Sequence, residues 1–163
     1  MARNKVSMTL KSKINKVTRE LGREMEKAML KSVIKVHGEL SHILSGQRSG
    51  FLYPVAGTGR VVNKEKTLPN GRKFYYRKLV GAKMYRASAP YEAPASRLGH
   101  LRASYKYIVK GKGMDVRGYV GSPLPYSHWL EYGTFKMHPR PHLKVAFKNS
   151  KPDIQRYFGG LLK

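Results

Sequence analysis

Between Leu10 and Ile43 the apolar residues Leu10, Ile14, Val17, Leu21, Met25, Met29, Val33, Val36, Leu40 and Ile43 return every three or four positions. That is the period of one helix face, not the alternation of a strand. The spacing predicts one helix of roughly 35 residues, about 50 Å long, stopped by Gly46 after Ser45. Gly22 and Gly38 each weaken it by about 1 kcal/mol relative to alanine, and Gly38 is a place for a bend or break. The opposite face carries Lys13, Lys16, Arg23, Lys27 and Lys31, and like charges recur four residues apart from Arg19 through Lys35. Each such pair costs about 0.2–0.5 kcal/mol in an isolated helix. The face is therefore either a solvated flank of a helix held by its apolar stripe, or a surface turned toward a polyanion.

Beyond the helix the pattern shortens. Residues 45–60 hold four glycines and one proline, which predicts a loop anchored by Phe51, Leu52 and Tyr53. Pro69-Asn70-Gly71 predicts a tight turn leading into a strand over Phe74 to Val80, and Gly81-Ala82-Lys83 a turn into Met84 to Ser88. Ala89 to Ala95 is too proline-rich for either regular element and reads as an ordered connector. From Leu101 to Val109 the alternation predicts a half-buried strand, followed by a turn at Gly111-Lys112-Gly113 and a strand over Met114 to Val120. Together these give an α+β fold: an antiparallel sheet of about four strands, one face covered by the long helix, with short helices near the C-terminus.

The stretch from Tyr126 to Leu143 joins the only tryptophan to a glycine stop and a proline-bracketed arginine. Tyr126, Trp129 and Leu130 share one face of a short helix, and Gly133 falls where its cap is required. Pro139 and Pro141 restrict the residues before them, which predicts Arg140 on a stiff extended arm suited to a protein contact. Pro141 then opens a helix faced by Leu143, Ala146 and Phe147, and Pro152 restarts it with Ile154, Tyr157 and Phe158 buried before Gly159-Gly160. Leu161 and Leu162 are expected to fold back or to rest on a neighbour.

The length suits one structural domain, divided as a helix over residues 1–46 and an α+β body with a helical tail over 47–163. Thirty-three Lys and Arg against nine Asp and Glu give a formal charge of +24, spread along the whole chain. Solubility alone needs a net charge of only about 2 to 8, so the surplus points to a polyanion or to acidic neighbours met by the folded body. With no cysteine, disulfides and thiolate metal sites are excluded. The N-terminus lacks a signal-peptide pattern and no window approaches a membrane span, so a soluble protein made in the cytoplasm, without membrane contact, is expected.

Catalytic chemistry finds no foothold. The nine carboxylates form no acid/base pair by spacing, and no nucleophile, base and orienter come together. His138 and His142 are separated by two prolines that disfavour the helix needed to chelate a metal, and His37 and His42 are five apart. G-T-G-R at 57–60 lacks the lysine and the strand-to-helix context of a phosphate loop. No cofactor is implied. Phe74-Tyr75-Tyr76-Arg77-Lys78 and Tyr105-Lys106-Tyr107 interleave rings and cations as a stacking platform does, although ordinary strand aromatics among solvated lysines explain them as well. Non-specific phosphate contact fits better than sequence readout.

Five short motifs in order carry a family resemblance: S-G-F-L-Y (49–53), Y-R-A-S-A-P-Y-E-A-P-A (85–95), G-H-L-R-A-S (99–104), V-G-S-P-L-P-Y (120–126) and L-E-Y-G-T-F-K-M-H-P-R-P (130–141). The chain resembles the neck or tail-completion proteins of long-tailed bacteriophages over about residues 49–147. It departs at Tyr91, where that family usually has glycine, at Leu98, where threonine is usual, and at His142, where an aromatic residue is usual. The resemblance implies a non-enzymatic virion component, assembled in the host cytoplasm as a ring of six or twelve copies at the head–tail junction and touching other neck, connector and tail proteins. By the same carry-over Arg86, Glu92, Gly99, Leu101 and Arg102 shape the sheet edge and connector, and Glu131, Tyr132, Gly133, Thr134, Lys136, Met137 and Arg140, with Tyr126, Trp129 and Pro141 beside them, form a second motif. As one of few acids, Glu131 is expected to pair with Arg86, Arg102 or Arg140, and Met137 to fill an adaptable apolar contact. A non-specific DNA-binding protein is the competing reading.

Overall fold

The computed structural model describes the backbone of residues 2–161 and the side chains of residues 12–161. Leu10, at the start of the expected stripe, and Leu162, at the apolar chain end, lie outside the side chains described. The periodicity is realised as one unbroken helix, α1 (Ala2–Ser45), of 44 residues and about 66 Å. It passes through Gly38 without ending and stops at Gly46, as its sequence predicts.

Among the described side chains of α1, burial begins at about Leu21. Ala28, Ser32, Val33, Val36, Leu40 and Leu44 are covered, whereas every side chain from Ser12 to Glu20 is exposed, with Ile14 and Val17 each 62% accessible. The apolar stripe is continuous in sequence, but among the described side chains the body covers it only from about Leu21 onward. First contact is made at a 3-10 turn, Gly113–Asp115, where the Gly113 N–H donates to Glu26 Oε1 at 2.6 Å.

Among the described residues six strands form three two-stranded antiparallel ladders instead of the single sheet of about four strands. β1 (Leu52–Pro54), β2 (Arg60–Thr67), β3 (Lys73–Val80) and β4 (Met84–Arg86) make one long arm. β1 pairs with β4 at its base, β2 with β3 toward its tip, and the Val55 N–H to Lys83 O bond of 2.8 Å bridges the two ladders. The loop expected over 45–60 therefore contains a strand, and Phe51, Leu52 and Tyr53 hold the base of the arm through backbone pairing while their side chains are exposed. The Pro69-Asn70-Gly71 turn is formed, closed by Leu68 N–H to Arg72 O at 2.8 Å.

The strand expected over Leu101–Val109 begins as a helix. α2 (His100–Ser104) precedes β5 (Lys106–Lys110), which pairs with β6 (Arg117–Gly121). Leu101 and Tyr105 both belong to the core cluster or its margin, and their four-residue spacing suits a helical turn as well as strand alternation. After α3 (Pro125–Tyr132) comes α4 (Leu143–Gly159), which runs through Pro152 as one element and starts two residues after Pro141.

α4 lies antiparallel to α1. Leu40 and Leu44 pack with Tyr105 and the fully buried Ala146, while one helical layer further along Lys35 Nζ bridges Glu39 at 3.0 Å and Asp153 at 3.1 Å. Phe147, expected on the buried face, is exposed. The core is thus a seam between two helices with the β5–β6 hairpin laid across it.

Two glycines of α1 test this packing in opposite directions. A Cβ at Gly22 would lie 2.7 Å from the Gly113 Cα, while one at Gly38 would meet nothing within 4 Å. Gly38→Ala is expected to raise stability by about 0.5–1 kcal/mol, whereas Gly22→Ala should lose more than it gains, since forcing backbone apart costs about 1–3 kcal/mol. Thermal unfolding of the two variants should move Tm in opposite senses.

Candidate assembly interface

α3 forms because Pro125 occupies its first turn and Leu124 stays extended before it. It ends at Gly133, whose φ of 80° few side chains tolerate and whose N–H donates to Trp129 O at 2.8 Å. A Cβ there would also meet Met137 O at 2.8 Å. Thr134 and Met137 then exchange two backbone hydrogen bonds, a tight turn that sends the chain back along α3 until the Arg140 N–H reaches Leu130 O at 2.7 Å.

This return reverses the expected direction of Arg140. Its guanidinium points inward, donating through one terminal nitrogen to the buried Ser88 hydroxyl, and its Nε is buried without a partner among the described residues. Pro139 and Pro141 stiffen a segment laid against the body, not an outstretched arm. Tyr91 joins the same junction: its N–H donates to Pro139 O at 3.0 Å, and it is the only non-glycine described with a positive φ, 64°.

Glu131, on the inner face of α3, makes none of the expected arginine pairs. Its carboxylate accepts the backbone N–H groups of His142 and Leu143 at 2.9 Å each and of Lys144 at 2.8 Å. These are the free donors at the start of α4, where the helix dipole also favours a negative charge. His142 Nδ1 sits 3.0 Å from the same carboxylate and 2.9 Å from Arg140 O. Facing two acceptors, Nδ1 carries a proton, which in the neutral ring leaves Nε2 to accept the Tyr105 hydroxyl at 2.6 Å. A buried chain of Glu131, His142 and Tyr105 thereby ties α3, α4 and the start of β5 together.

The remaining motif residues divide between scaffold and surface. Glu92 accepts the Ala89 and Ser49 N–H groups at 2.8 and 3.1 Å, which hold its carboxyl below the usual carboxylate range. Arg86 donates to Gly50 O and Arg102 to the Ser45 hydroxyl, both at an exposed edge. Gly99 caps α2 with φ 77°, and Leu101 borders the core. Met137 and Pro141 are half-buried. Tyr126, Trp129, Tyr132, Thr134 and Lys136 are exposed, so the helix face read as apolar from Tyr126 and Trp129 is the outer one. Phe135 is fully exposed at the turn. Beside Tyr132 an apolar groove of about 740 Å³ opens between the helices, lined by Val33, Val36, Val120, Leu143 and Phe158. Lys13, Lys16, Arg23, Lys27 and Lys31 are all exposed, and Lys27 pairs with Glu24 at 2.7 Å. Among the described residues no cluster of His, Asp and Glu suits a metal, and no helix is long and apolar enough to cross a membrane.

His142, Tyr105 and Ser88 were not marked by sequence as partners of the motif. His142 had a local signal, standing directly before the L-x-x-A-F helical pattern where a cap belongs. Glu131 precedes it by eleven residues, a separation that no local rule connects.

Glu131→Ala should leave one buried and two half-buried N–H groups without their acceptor and cost about 3 kcal/mol or more, lowering Tm by roughly 6–12 °C. Glu131→Gln, keeping one oxygen for those donors, should lose about half as much. Equal Tm values for Glu131→Ala and wild type would remove the capping role. Burial, aided by the Glu131 charge, pushes the Tyr105 hydroxyl up to about 12. The folded state then holds this proton more tightly than the unfolded chain, whose tyrosine ionises near about 10. The associated stability is fully present below pH ~10 and is lost as pH rises toward about 12. Tyr105→Phe should flatten that alkaline limb in a pH series of thermal unfolding, and an unchanged limb would contradict the assignment.

Residues 79–133 match the family model described as "Bacteriophage HK97-gp10, putative tail-component". The matched segment runs from the end of β3 through the connector, α2 and the β5–β6 hairpin to the close of α3. Neither the curated proteins nor the solved structures give a match. The match bears out the resemblance to the tailed-bacteriophage neck and tail-completion proteins and supports a structural, tail-related role for the chain.

Proposed function

We propose that the chain is a non-enzymatic subunit of a ring of six or twelve copies at the head–tail junction of a tailed phage, where it completes the tail or joins it to the filled head. The observation that carries this reading is the match of residues 79–133 to a tail-component family, in a chain that leaves three apolar surfaces uncovered. These are the Ile14 and Val17 end of α1, the rings around Trp129, Tyr132 and Phe135, and the groove beside them. Monomeric proteins rarely expose contiguous apolar patches beyond a few hundred Å², and sibling subunits or tail proteins would cover them.

Charge gives the assembly its second property. Each copy brings +24, so a ring is a strongly positive collar, suited to DNA leaving the head or to acidic portal, connector and tube surfaces. Arg86, Glu92, Gly99, Leu101, Arg102 and the Glu131–Pro141 segment would then act by holding the exposed surfaces in register, since most of them bond within the chain. The exposed basic face of α1 favours a second reading, a non-specific DNA-binding protein for which any ring is incidental.

The two separate in the particle. Phage lacking this chain should accumulate full heads and finished tails as separate objects, counted by electron microscopy. Normal infectious particles in its absence would overturn the neck assignment and leave the DNA-binding reading.

A further inference from the structure

The geometry points to one face of the β2–β3 ribbon as a contact for the phosphates of duplex DNA. The two strands are eight residues each, about 26 Å at about 3.3 Å per residue, and apart from half-buried Val62 every side chain on them is exposed. The ribbon pairs essentially with itself and so presents two free faces.

The register makes those faces chemically different. Residues directly opposite in an antiparallel pair project to the same side. One side carries the rungs Arg60 with Val80, Val62 with Lys78, Lys64 with Tyr76, and Lys66 with Phe74. Each rung sets one cation across from one apolar or aromatic residue, so four cations stand on this side with no carboxylate among them. Phe74 and Tyr76 stack along it at 6.0 Å. The other side carries Val61 with Leu79, Asn63 with Arg77, Glu65 with Tyr75, and Thr67 with Lys73, and there Glu65 bridges Lys73 at 2.9 Å. A mixed, partly neutralised face suits a protein neighbour.

A face whose charges are all cations and meet no acid fits a partner that is a continuous anion. A two-stranded ribbon also has the width that the DNA major groove admits. The rungs offer no amide or carboxylate to read adenine or cytosine edges, and a face whose charges are three lysines and one arginine addresses chiefly phosphates, a contact independent of sequence. The basic residues of α1 differ in arrangement, since Glu20 and Glu24 interrupt them and Glu24 holds Lys27. The inference deepens the neck reading, on which it rests for the presence of DNA, by naming the element that meets it.

The test uses the purified full chain and a random-sequence duplex of about 20 base pairs, with affinity followed against salt. Neutralising four phosphate contacts contributes a slope of about −3.6 to log K against log salt. The quadruple variant Arg60→Ser, Lys64→Ser, Lys66→Ser, Lys78→Ser should flatten the slope by about that amount while its thermal unfolding stays as in wild type, because these side chains are exposed. A variant losing the same charge elsewhere, Lys106→Ser, Lys110→Ser, Lys148→Ser, Lys151→Ser, should keep the wild-type slope. An equal slope for the ribbon variant and wild type would overturn the inference and assign the face to an acidic protein. Loss of the slope instead on removing Lys13, Lys16, Arg23 and Lys31 would overturn it in favour of α1. Binding is read on the isolated chain, so its failure leaves the particle test of the neck assignment standing, and the reverse also holds.

Discussion

One carboxylate holds three directions of the chain in place. Glu131 sits on the inner face of α3, meets the first free N–H groups of α4, and through His142 reaches Tyr105 at the start of β5. A buried acid is tolerable only where donors replace the water it has lost. Here the donors are backbone groups that had no helical partner of their own, so acid and helix end each satisfy the other. Because α4 is the element that closes over α1, the angle fixed at this cap decides how the two helices seal the core around Leu40, Leu44 and Ala146.

From that centre outward the molecule becomes less self-contained. The seam of α1 and α4 is well covered, the β5–β6 hairpin lies across it, and beyond them project the first half of α1 and the β1–β4 arm with its β2–β3 tip. Among the described side chains both projections are apolar in part, cationic, and in contact with little of their own chain. Intramolecular hydrogen bonds absorb most of the polar motif residues, while the rings of Trp129, Tyr132 and Phe135 are left outside. A tail-component assignment over residues 79–133 explains such a division, since a subunit of a larger structure can leave its margins to be completed by others.

Much of the fold was legible because its signals are local. The three-to-four residue return of apolar positions gave α1, Gly133 gave the end of α3, and Pro69-Asn70-Gly71 gave the turn of the arm. What escaped were relations between distant residues. The exposure of Ile14 and Val17 depends on where the body ends, which periodicity does not encode. Leu101 and Tyr105 satisfy helical and strand spacing alike, and only the packing against Leu40 and Leu44 decides between them. Arg140 was expected outside because prolines flank it. The Leu130 carbonyl and the Ser88 hydroxyl, neither near it in sequence, draw it in. Of the candidate site, the motif residues were visible and their partners were not, because Glu131 finds backbone groups, which carry no residue-type signal at all.

The pairing of α1 with α4 also sets an order of events during synthesis. Leu40 leaves the ribosome roughly a hundred residues before Ala146, the small side chain that lets the second helix come close enough to cover it. Throughout that interval the nascent chain displays a long greasy ridge flanked by lysines, an attractive target for chaperones and for other unfinished copies. The cover over Leu40 and Leu44 is therefore completed only once the late helix has docked, so the earliest part of the chain waits on almost the last for its burial.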